Sequence, residues 1–316
     1  MKIARLTISP HQFNNLVSRE KAAFARLGLD YICHHHRKGE TPHPTVQDAH
    51  IIIPNTSYPI GKKELDAFKN LRGVLIPNSG YDHVDLEALQ QRGIHWVHLP
   101  GPRAIDVCES TIMMMLDSAR RSPWLYHNME QGVWVRDQVE GTRRIRGRTI
   151  AIVGFGHIGR RLSTMLAPFE PAIIGVYDPY VAPQILESYP VRHFQHLQEL
   201  VQLSDIITLH CSLTPSSRSL INHDLLQHFP ANSCLINTAR GPIVVEEDVR
   251  RSLDDGQLGT YATDVFAQEP LPPEHWMSKH PRVLCTPHVA GYSFEMLEQL
   301  IVDEVWAVKK WLDAWE

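Results

Sequence analysis

Apolar residues in the first hundred positions come in short runs parted by polar turns, the spacing of alternating strands and helices. Runs at 2–8, 51–53, 73–76 and 95–99 read as strands; Pro54 stops the second, and the third ends in the turn Asn78-Ser79-Gly80. Segments 19–27, 62–68 and 86–91 read as helices, the first and last closed by Gly28 and Gly93. This βα alternation predicts a parallel sheet with helices on both faces. Pro100-Gly101-Pro102 stops any element and is the linker candidate. A long apolar helix follows over 105–119, in which Met113, Met114, Met115 and Leu116 read as core packing. Residues 122–148 are the least regular stretch, polar and basic. Their Trp124 and Trp134 are either buried against a partner subunit or tucked onto their own domain. A second βα series has strands at 149–154, 172–177, 205–211, 233–239, 259–265 and 282–286, with helices at 222–229 and 246–255, the latter stopped by Gly256. From about 293, Leu297, Ile301, Val305, Val308, Leu312 and Trp315 recur at spacings of three and four and give a helix one apolar stripe. The N-terminal domain is the natural surface for that stripe, which makes that domain discontinuous.

Composition narrows the function. The 316 residues suffice for about two domains. With 31 Lys+Arg against 35 Asp+Glu the formal charge is −4, and no basic stripe favours nucleic acid or an acidic membrane. No apolar run reaches the ~18 residues of a membrane span, and Met1-Lys2-Ile3 leads into a strand rather than a signal peptide. Cys33, Cys108, Cys211, Cys234 and Cys285 are scattered, with no C-x-x-C pair, as in a reduced cytoplasmic protein. His34-His35-His36 invites a metal reading. Consecutive strand residues face opposite ways, so the run does not aim three imidazoles at one point. The expectation is a solvated strand end and no metal.

The most informative stretch is Thr149-Ile150-Ala151-Ile152-Val153-Gly154-Phe155-Gly156-His157-Ile158-Gly159-Arg160. A G-x-G-x-x-G directly after a strand and before a helix is the dinucleotide-binding fingerprint. Gly154 permits the tight turn, Gly156 lets a pyrophosphate approach the backbone, and Gly159 lets the helix lie close on the sheet. The helix N-terminus offers free N–H groups to the phosphates. The next strand ends at Asp178, about 20 residues on, where a carboxylate bonds the adenine ribose hydroxyls and repels a 2′-phosphate. Pro179 and Tyr180 follow rather than Arg, so NAD is favoured over NADP.

Three residues at strand ends of the second series carry chemistry: Arg240 in Asn237-Thr238-Ala239-Arg240-Gly241, Glu269 in Ala267-Gln268-Glu269-Pro270, and His288 in Thr286-Pro287-His288-Val289-Ala290-Gly291. Open α/β sheets bind ligands at the carboxyl ends of their strands. A hydride acceptor carbonyl needs a proton donor; histidine serves near neutrality, and an adjacent carboxylate favours its protonated form and holds its ring. A guanidinium grips a carboxylate by two parallel hydrogen bonds, which fixes an α-keto acid against a nicotinamide. Taken singly, Arg240 and Glu269 also read as solvated charges, and His288 as a capped turn residue.

These motifs, with IAIVGFGHIGRRL, VYDP, DIITLHCSLTPSSRSLI, CLINTARGPIVVEEDV, GTYATDVFAQEPLP and VLCTPHVAG in that order, resemble the D-isomer-specific 2-hydroxyacid dehydrogenases over nearly the whole chain. The resemblance implies an α/β fold of two Rossmann-like, doubly wound parallel-sheet domains. The discontinuous substrate domain is expected at 1–99 and 290–316 and the NAD-binding domain at 100–289. It implies that Arg240 binds the substrate carboxylate and polarises the carbonyl, that Glu269 pairs with His288, and that His288 is the acid in reduction and the base in oxidation. Asp264 matches the residue that holds the nicotinamide carboxamide. His157, Ile158, Asp178, Ser212, Thr238 and Ala239 match cofactor-contacting positions, and the backbone of Asn78-Ser79-Gly80 matches the loop that also grips the carboxylate. A small 2-hydroxy or 2-keto acid is the expected substrate. A homodimer built through the cofactor domain is implied too, which favours the interface reading of Trp124 and Trp134.

The sequence departs from the family at Asn78, where many members have glycine. Phosphoglycerate-type members have an Arg two residues before that position; Ile76 stands there, so a phosphate handle is missing. The Ala290-Gly291-Tyr292-Ser293 turn is somewhat like that of erythronate-4-phosphate dehydrogenases, whose C-terminal dimerisation domain has no counterpart in this sequence. Tyr58, Tyr81 and Tyr292 either line a side-chain pocket or pack ordinarily. The competing class is a non-catalytic NAD(H)-sensing protein like the corepressors of this fold; an intact Arg240, Glu269 and His288 argues against it.

Overall fold

The structure is a computed structural model that describes residues 1–7, 14–36, 40–56 and 58–315. The chain divides into two compact units, Met1–Arg103 with Tyr292–Glu316, and Ala104–Gly291.

The first unit holds a five-stranded, all-parallel sheet built from β1 (Lys2–Thr7), β2 (Asp30–His35), β3 (Ile51–Pro54), β4 (Gly73–Ile76) and β5 (His95–His98), in the order β2-β1-β3-β4-β5. Alternate residues of each strand feed opposite faces. Ala4, Leu6, Ile52, Val74 and Ile76 form one core with Leu65 of α2 (Lys62–Asp66) and with Ala88 and Leu89 of α3 (Leu86–Gln91). Ile3, Ile51, Ile53 and Leu75 form the other, with Phe24 of α1 (Asn14–Ala25) and the stripe of a long C-terminal helix, Phe294–Trp315. The discontinuity follows from that stripe: Met296, Leu300, Ala307 and Val308 are buried on the same face as Phe24. Gly73 is small because Trp311 lies on it; a Cβ there would sit 2.8 Å from the indole.

One buried polar system crosses this face. Arg5 makes two hydrogen bonds to Glu20 and a third, of 2.7 Å, to Glu304 Oε1, while Tyr31 donates to Glu20. Both carboxylates are fully buried. Burial, with the Glu20 charge beside it, pushes the Glu304 carboxyl well above the usual range, against the pull of Arg5.

Two expectations for this unit are corrected. The first helix begins at Asn14 rather than 19. The His34–His36 run is not a solvated strand end: His36 is 2% exposed, its ring 4.5 Å from His34 and 4.8 Å from Tyr58, and His43 stacks on His34 at 4.3 Å. His34 and His36 share one face of the strand, and burial lowers the His36 pKa to about 4. Tyr58 belongs to the core, 1% exposed.

The second unit holds a seven-stranded, all-parallel sheet: β6 (Thr149–Val153), β7 (Ile173–Tyr177), β8 (Arg192–His193), β9 (Ile206–Leu209), β10 (Ser233–Asn237), β11 (Leu258–Thr263) and β12 (Val283–Cys285), ordered β12-β11-β10-β9-β6-β7-β8. On one face Ala151, Val153, Ile207, Leu209 and Leu235 meet helices at Leu197–Gln202, His223–Leu226 and Glu246–Asp254. On the other, Ile150, Ile152, Ile206 and Ile236 meet α4 (Ala104–Arg120) and a helix at His157–Leu166. Met114 and Met115 of α4 enter this core, whereas Met113 and Leu116 are 45% and 37% exposed, so only half of that run is core. The stretch expected to be irregular contains α5 (Ser122–Glu130), set off from α4 by Arg121 in the left-handed region. Trp124 is half-buried under the Arg121 guanidinium, 4.7 Å from its ring centre, and Trp134 is 71% exposed.

Candidate active site

The strand order reverses at β6: the chain runs outward through β7 and β8, then returns to lay β9 on the other side. The crevice at the carboxyl ends of β6 and β9 is a topological switch point, where α/β sheets bind ligands. The glycine turn leaves β6 into this crevice and enters α6 (His157–Leu166). Gly154 has φ +97°, and a Cβ there would meet Cys211 N at 2.5 Å. Gly159 packs its helix on the turn; a Cβ would lie 2.3 Å from Gly154 O. At Gly156 nothing lies within 4 Å of an added Cβ, so the backbone is open to a ligand. The first N–H groups of α6 have no side-chain cap, which leaves donors and positive dipole facing outward. Asp178, at the end of β7, accepts from Phe155 N at 2.7 Å and Tyr180 N at 2.9 Å, which fastens its carboxylate beside the turn. These features, an open backbone at Gly156 and uncapped N–H groups at the start of α6, fit a dinucleotide cofactor.

The other residues expected to contact the cofactor follow neighbouring strands. Ser212 follows β9, and its carbonyl accepts from Ser217 at 2.7 Å. Thr238 follows β10 and is 8% exposed; its hydroxyl is 3.2 Å from that of Thr111 on α4. Ala239 N donates to the Asn237 side chain at 3.0 Å, and the same side chain donates to Arg240 O at 2.9 Å. Asn237 therefore shapes the turn that presents Arg240, a role sequence reasoning missed. His210, after β9, is half-buried with its Nε2 2.9 Å from Thr208 Oγ1, and desolvation pushes its pKa down to about 3, so it is a neutral hydrogen-bonding group at neutral pH.

Arg240, Glu269 and His288 converge within this unit. Gly241 lies backbone to backbone against Phe266, so close that a Cβ would sit 2.0 Å from the Phe266 carbonyl carbon, and this brings the Arg240 turn against the segment that leads to Glu269. Glu269 is held at one oxygen by Phe266 N, 3.0 Å away, and at the other by His288 Nδ1, 2.7 Å away. Partial burial works to raise the Glu269 pKa. The hydrogen bond and charge of His288, the Phe266 N–H and the nearby Arg240 outweigh it and hold the carboxyl below its ordinary value. With Nδ1 committed to a carboxylate, Nε2 is the free end of the imidazole.

His288 has φ +56°, a left-handed backbone that costs a side-chain-bearing residue about 1–2 kcal/mol. Asp264 supports it. This carboxylate is 1% exposed and accepts from Thr286 Oγ1 at 2.6 Å, Val289 N at 2.8 Å and Ala290 N at 2.8 Å, so it ties the turn on both sides of His288. Nothing in the sequence shows that role, since it joins residues more than twenty positions apart. Burial pushes the thiol of half-buried Cys211 up to about 11, so it is no thiolate at neutral pH. In the first unit, Ser79 of the 78–80 turn is tethered by His98 Nδ1 at 3.2 Å from its carbonyl and by its own hydroxyl on Pro100 O at 3.3 Å.

A dinucleotide cradle and, in the same unit, a histidine–carboxylate couple beside a guanidinium define an oxidoreductase of the nicotinamide-dependent α/β class. Residues 112–290 match the family model for the D-isomer specific 2-hydroxyacid dehydrogenase, NAD binding domain. Formate dehydrogenase of Candida boidinii is 33% identical over 285 residues, 85% of this chain and 77% of that protein. D-3-phosphoglycerate dehydrogenase of Methanocaldococcus jannaschii is 30% identical over 77% of this chain and 46% of that protein. The structure of NAD-dependent formate dehydrogenase from Staphylococcus aureus in complex with NAD superposes with a TM-score of 0.85, 28% identical, covering 99% of this chain and 96% of that one. The chain belongs to the D-isomer specific 2-hydroxyacid dehydrogenase family, and it is an NAD-dependent oxidoreductase. Among the described residues no helix is long and apolar enough to cross a membrane.

Proposed function

We propose that this enzyme interconverts a small 2-keto acid and its D-2-hydroxy acid, with His288 exchanging the proton at the C2 oxygen, Glu269 orienting His288, and Arg240 gripping the substrate carboxylate. The observation that carries the reading is the 2.7 Å hydrogen bond between His288 Nδ1 and Glu269 Oε2 beside Arg240. Bound NAD supplies or accepts a hydride at its nicotinamide ring. Gly154, Gly156, His157, Ile158 and Gly159 are the groups for its pyrophosphate, Asp178 for the ribose, and Ser212, Thr238, Ala239 and Asp264 for the remainder. Asp264 Oδ2 accepts a single bond, from Ala290 N, and so keeps room for a carboxamide donor.

In reduction the His288 imidazolium gives its Nε2 proton to the substrate oxygen as that oxygen gains charge. The Arg240 guanidinium holds the carboxylate by a two-pronged grip and lowers the cost of the developing alkoxide. Glu269 compensates the imidazolium charge and keeps Nε2 aimed outward. In oxidation the neutral imidazole takes the hydroxyl proton back. The N–H groups of Asn78, Ser79 and Gly80 are assigned the second grip on the carboxylate. The reading includes a cytoplasmic homodimer formed through the second unit, supported by five free cysteines and by Tyr126, Met129 and Trp134, which are 70%, 52% and 71% exposed along and just after α5.

Formate is the second substrate to weigh, because two of the relatives above are formate dehydrogenases. Formate oxidation releases CO2 by moving a hydride and no proton, so it leaves the His288–Glu269 couple without a task. A 2-keto acid uses all three residues. The test is NADH oxidation across glyoxylate, hydroxypyruvate, pyruvate, phenylpyruvate and branched 2-keto acids, set beside NAD reduction by formate. Arg240→Ala is expected to lose most of kcat/KM for the preferred keto acid while NADH still binds. Retention within a few-fold would remove Arg240 from its role.

A further inference from the structure

We infer that the second unit carries a separate polyanion site, built from arginines at the amino edge of its sheet, that accepts a short phosphate chain. Arg120, Arg143, Arg144, Arg146 and Arg148, with Thr142 and Gly147, line one cavity of about 630 Å³. That is the size of small-molecule pockets, which run from roughly 300 to 1,000 Å³.

Two of the five charges are met by carboxylates of the same chain. Arg146 pairs with Glu170 at 2.5 Å and Arg148 with Asp205 at 2.9 Å. Arg143 donates to Asn232 O at 3.3 Å, which leaves its charge uncompensated. Among the described residues Arg120 and Arg144 have no ion-pair partner. Three guanidinium charges thus share one cavity. The carboxyl end of α4 accounts for one cation, Arg120, through the helix dipole, and does not account for the others. A chain with formal charge −4 that gathers this much positive charge at one point is set up for a compact anion, not for the extended backbone of a nucleic acid. Guanidinium forks match the paired oxygens of successive phosphates. The lining has no aromatic ring to stack a base, so the phosphate chain is the recognised part.

The location separates this site from the cofactor. Residues 143–148 lead into β6, and their partners Glu170, Asp205 and Asn232 lie within three residues before β7, β9 and β10. The glycine turn leaves the other end of β6. Five strand residues lie between the two, about 16 Å of extended chain.

The experiment is isothermal titration calorimetry of the full chain with inorganic tripolyphosphate, ATP and citrate at fixed ionic strength, with and without saturating NADH. The expected result is one saturable site for tripolyphosphate with Kd below about 100 μM, unchanged by NADH. ATP binding alongside it identifies a nucleotide as the natural source; failure of ATP points to free polyphosphate. Arg120→Gln/Arg144→Gln should weaken tripolyphosphate at least tenfold and leave NADH affinity within twofold, which also reports that the variant is folded. If that variant does not fold, Arg144→Glu alone serves the same purpose. The proposal is overturned by non-saturable binding, by displacement of NADH, by tighter binding of citrate than of tripolyphosphate, or by an unchanged Kd in the folded variant.

Discussion

Glu304 offers the sharpest structural prediction. One cation, Arg5, faces two buried carboxylates, Glu20 and Glu304, on β1, α1 and the C-terminal helix. Arg5 already makes a two-bond pair with Glu20. A second ionised carboxylate would leave a net negative charge in a site from which water is excluded, at a cost of several kcal/mol. Glu304 Oε2 is buried and has no hydrogen-bond partner, a position that tolerates a neutral OH far better than half of a carboxylate charge. Burial raises the Glu304 pKa, so the folded chain holds a proton that the unfolded chain releases near the ordinary carboxylate range. Between that range and the folded pKa the native state binds more protons, so stability falls as pH rises, by at most about 1.4 kcal/mol per pH unit. The full contribution is present below the unfolded pKa and is gone above the folded one. Glu304→Gln reproduces the protonated side chain and cannot lose the proton. It should match wild type at pH 6 and equal or exceed it at pH 8.5. Glu304→Ala removes the bond to Arg5 and leaves a void, and should cost about 3–5 kcal/mol at both pH values. Urea unfolding followed by circular dichroism at the two pH values reads both. If Glu304→Gln is as damaging as Glu304→Ala at pH 6, Glu304 is an ionised partner of Arg5 and the reasoning is wrong.

Gly159→Ala puts a methyl 2.3 Å from Gly154 O, so α6 must retreat by about 1 Å and take with it the N–H groups proposed for the cofactor pyrophosphate. NADH affinity measured by fluorescence titration should fall about 10- to 100-fold, the loss of one charge-assisted hydrogen bond; a change under threefold would show that helix approach does not set affinity. Asp264→Asn turns one acceptor oxygen into a donor facing Thr286 and Val289 or Ala290, and should lower kcat about tenfold or more by loosening the His288 turn. A normal kcat would mean that the turn holds without it. Trp134→Glu should shift the mass measured by light scattering from dimer towards monomer, and an unchanged mass would take Trp134 out of the subunit contact.

Much of the fold was legible because buried parallel strands read as apolar runs between glycine, proline and polar turns, as at 51–53 and 149–154. The stripe from Leu297 to Trp315 shows a helix that needs a surface, and its spacing marks which face is covered. What escaped has physical reasons. Helix α5 carries no buried residue, so its apolar positions form no stripe, and it was expected to be irregular. The two-residue strand Arg192–His193 is too short to leave a pattern. Arg5, Glu20 and Glu304 each look like solvated surface charges; only the fold joins residues 299 positions apart. In the site, the chemistry of Arg240, Glu269 and His288 is written in their residue types and motifs. Their convergence depends on the backbone contact of Gly241 with Phe266 and on the Asp264 carboxylate that ties the His288 turn, contacts that join distant stretches of the chain and leave no local pattern.

In the proposed function the His288–Glu269 couple moves a proton together with hydride transfer at a 2-keto carbon. The most direct measurement is the single-turnover rate of NADH oxidation by the best keto acid of the panel, in wild type and in His288→Ala with NADH bound. The account predicts turnover in wild type and a loss of at least about a thousandfold in the variant, with NADH affinity intact. A variant within a few-fold of wild type, or a wild-type enzyme that turns over formate and no 2-keto acid, would contradict it.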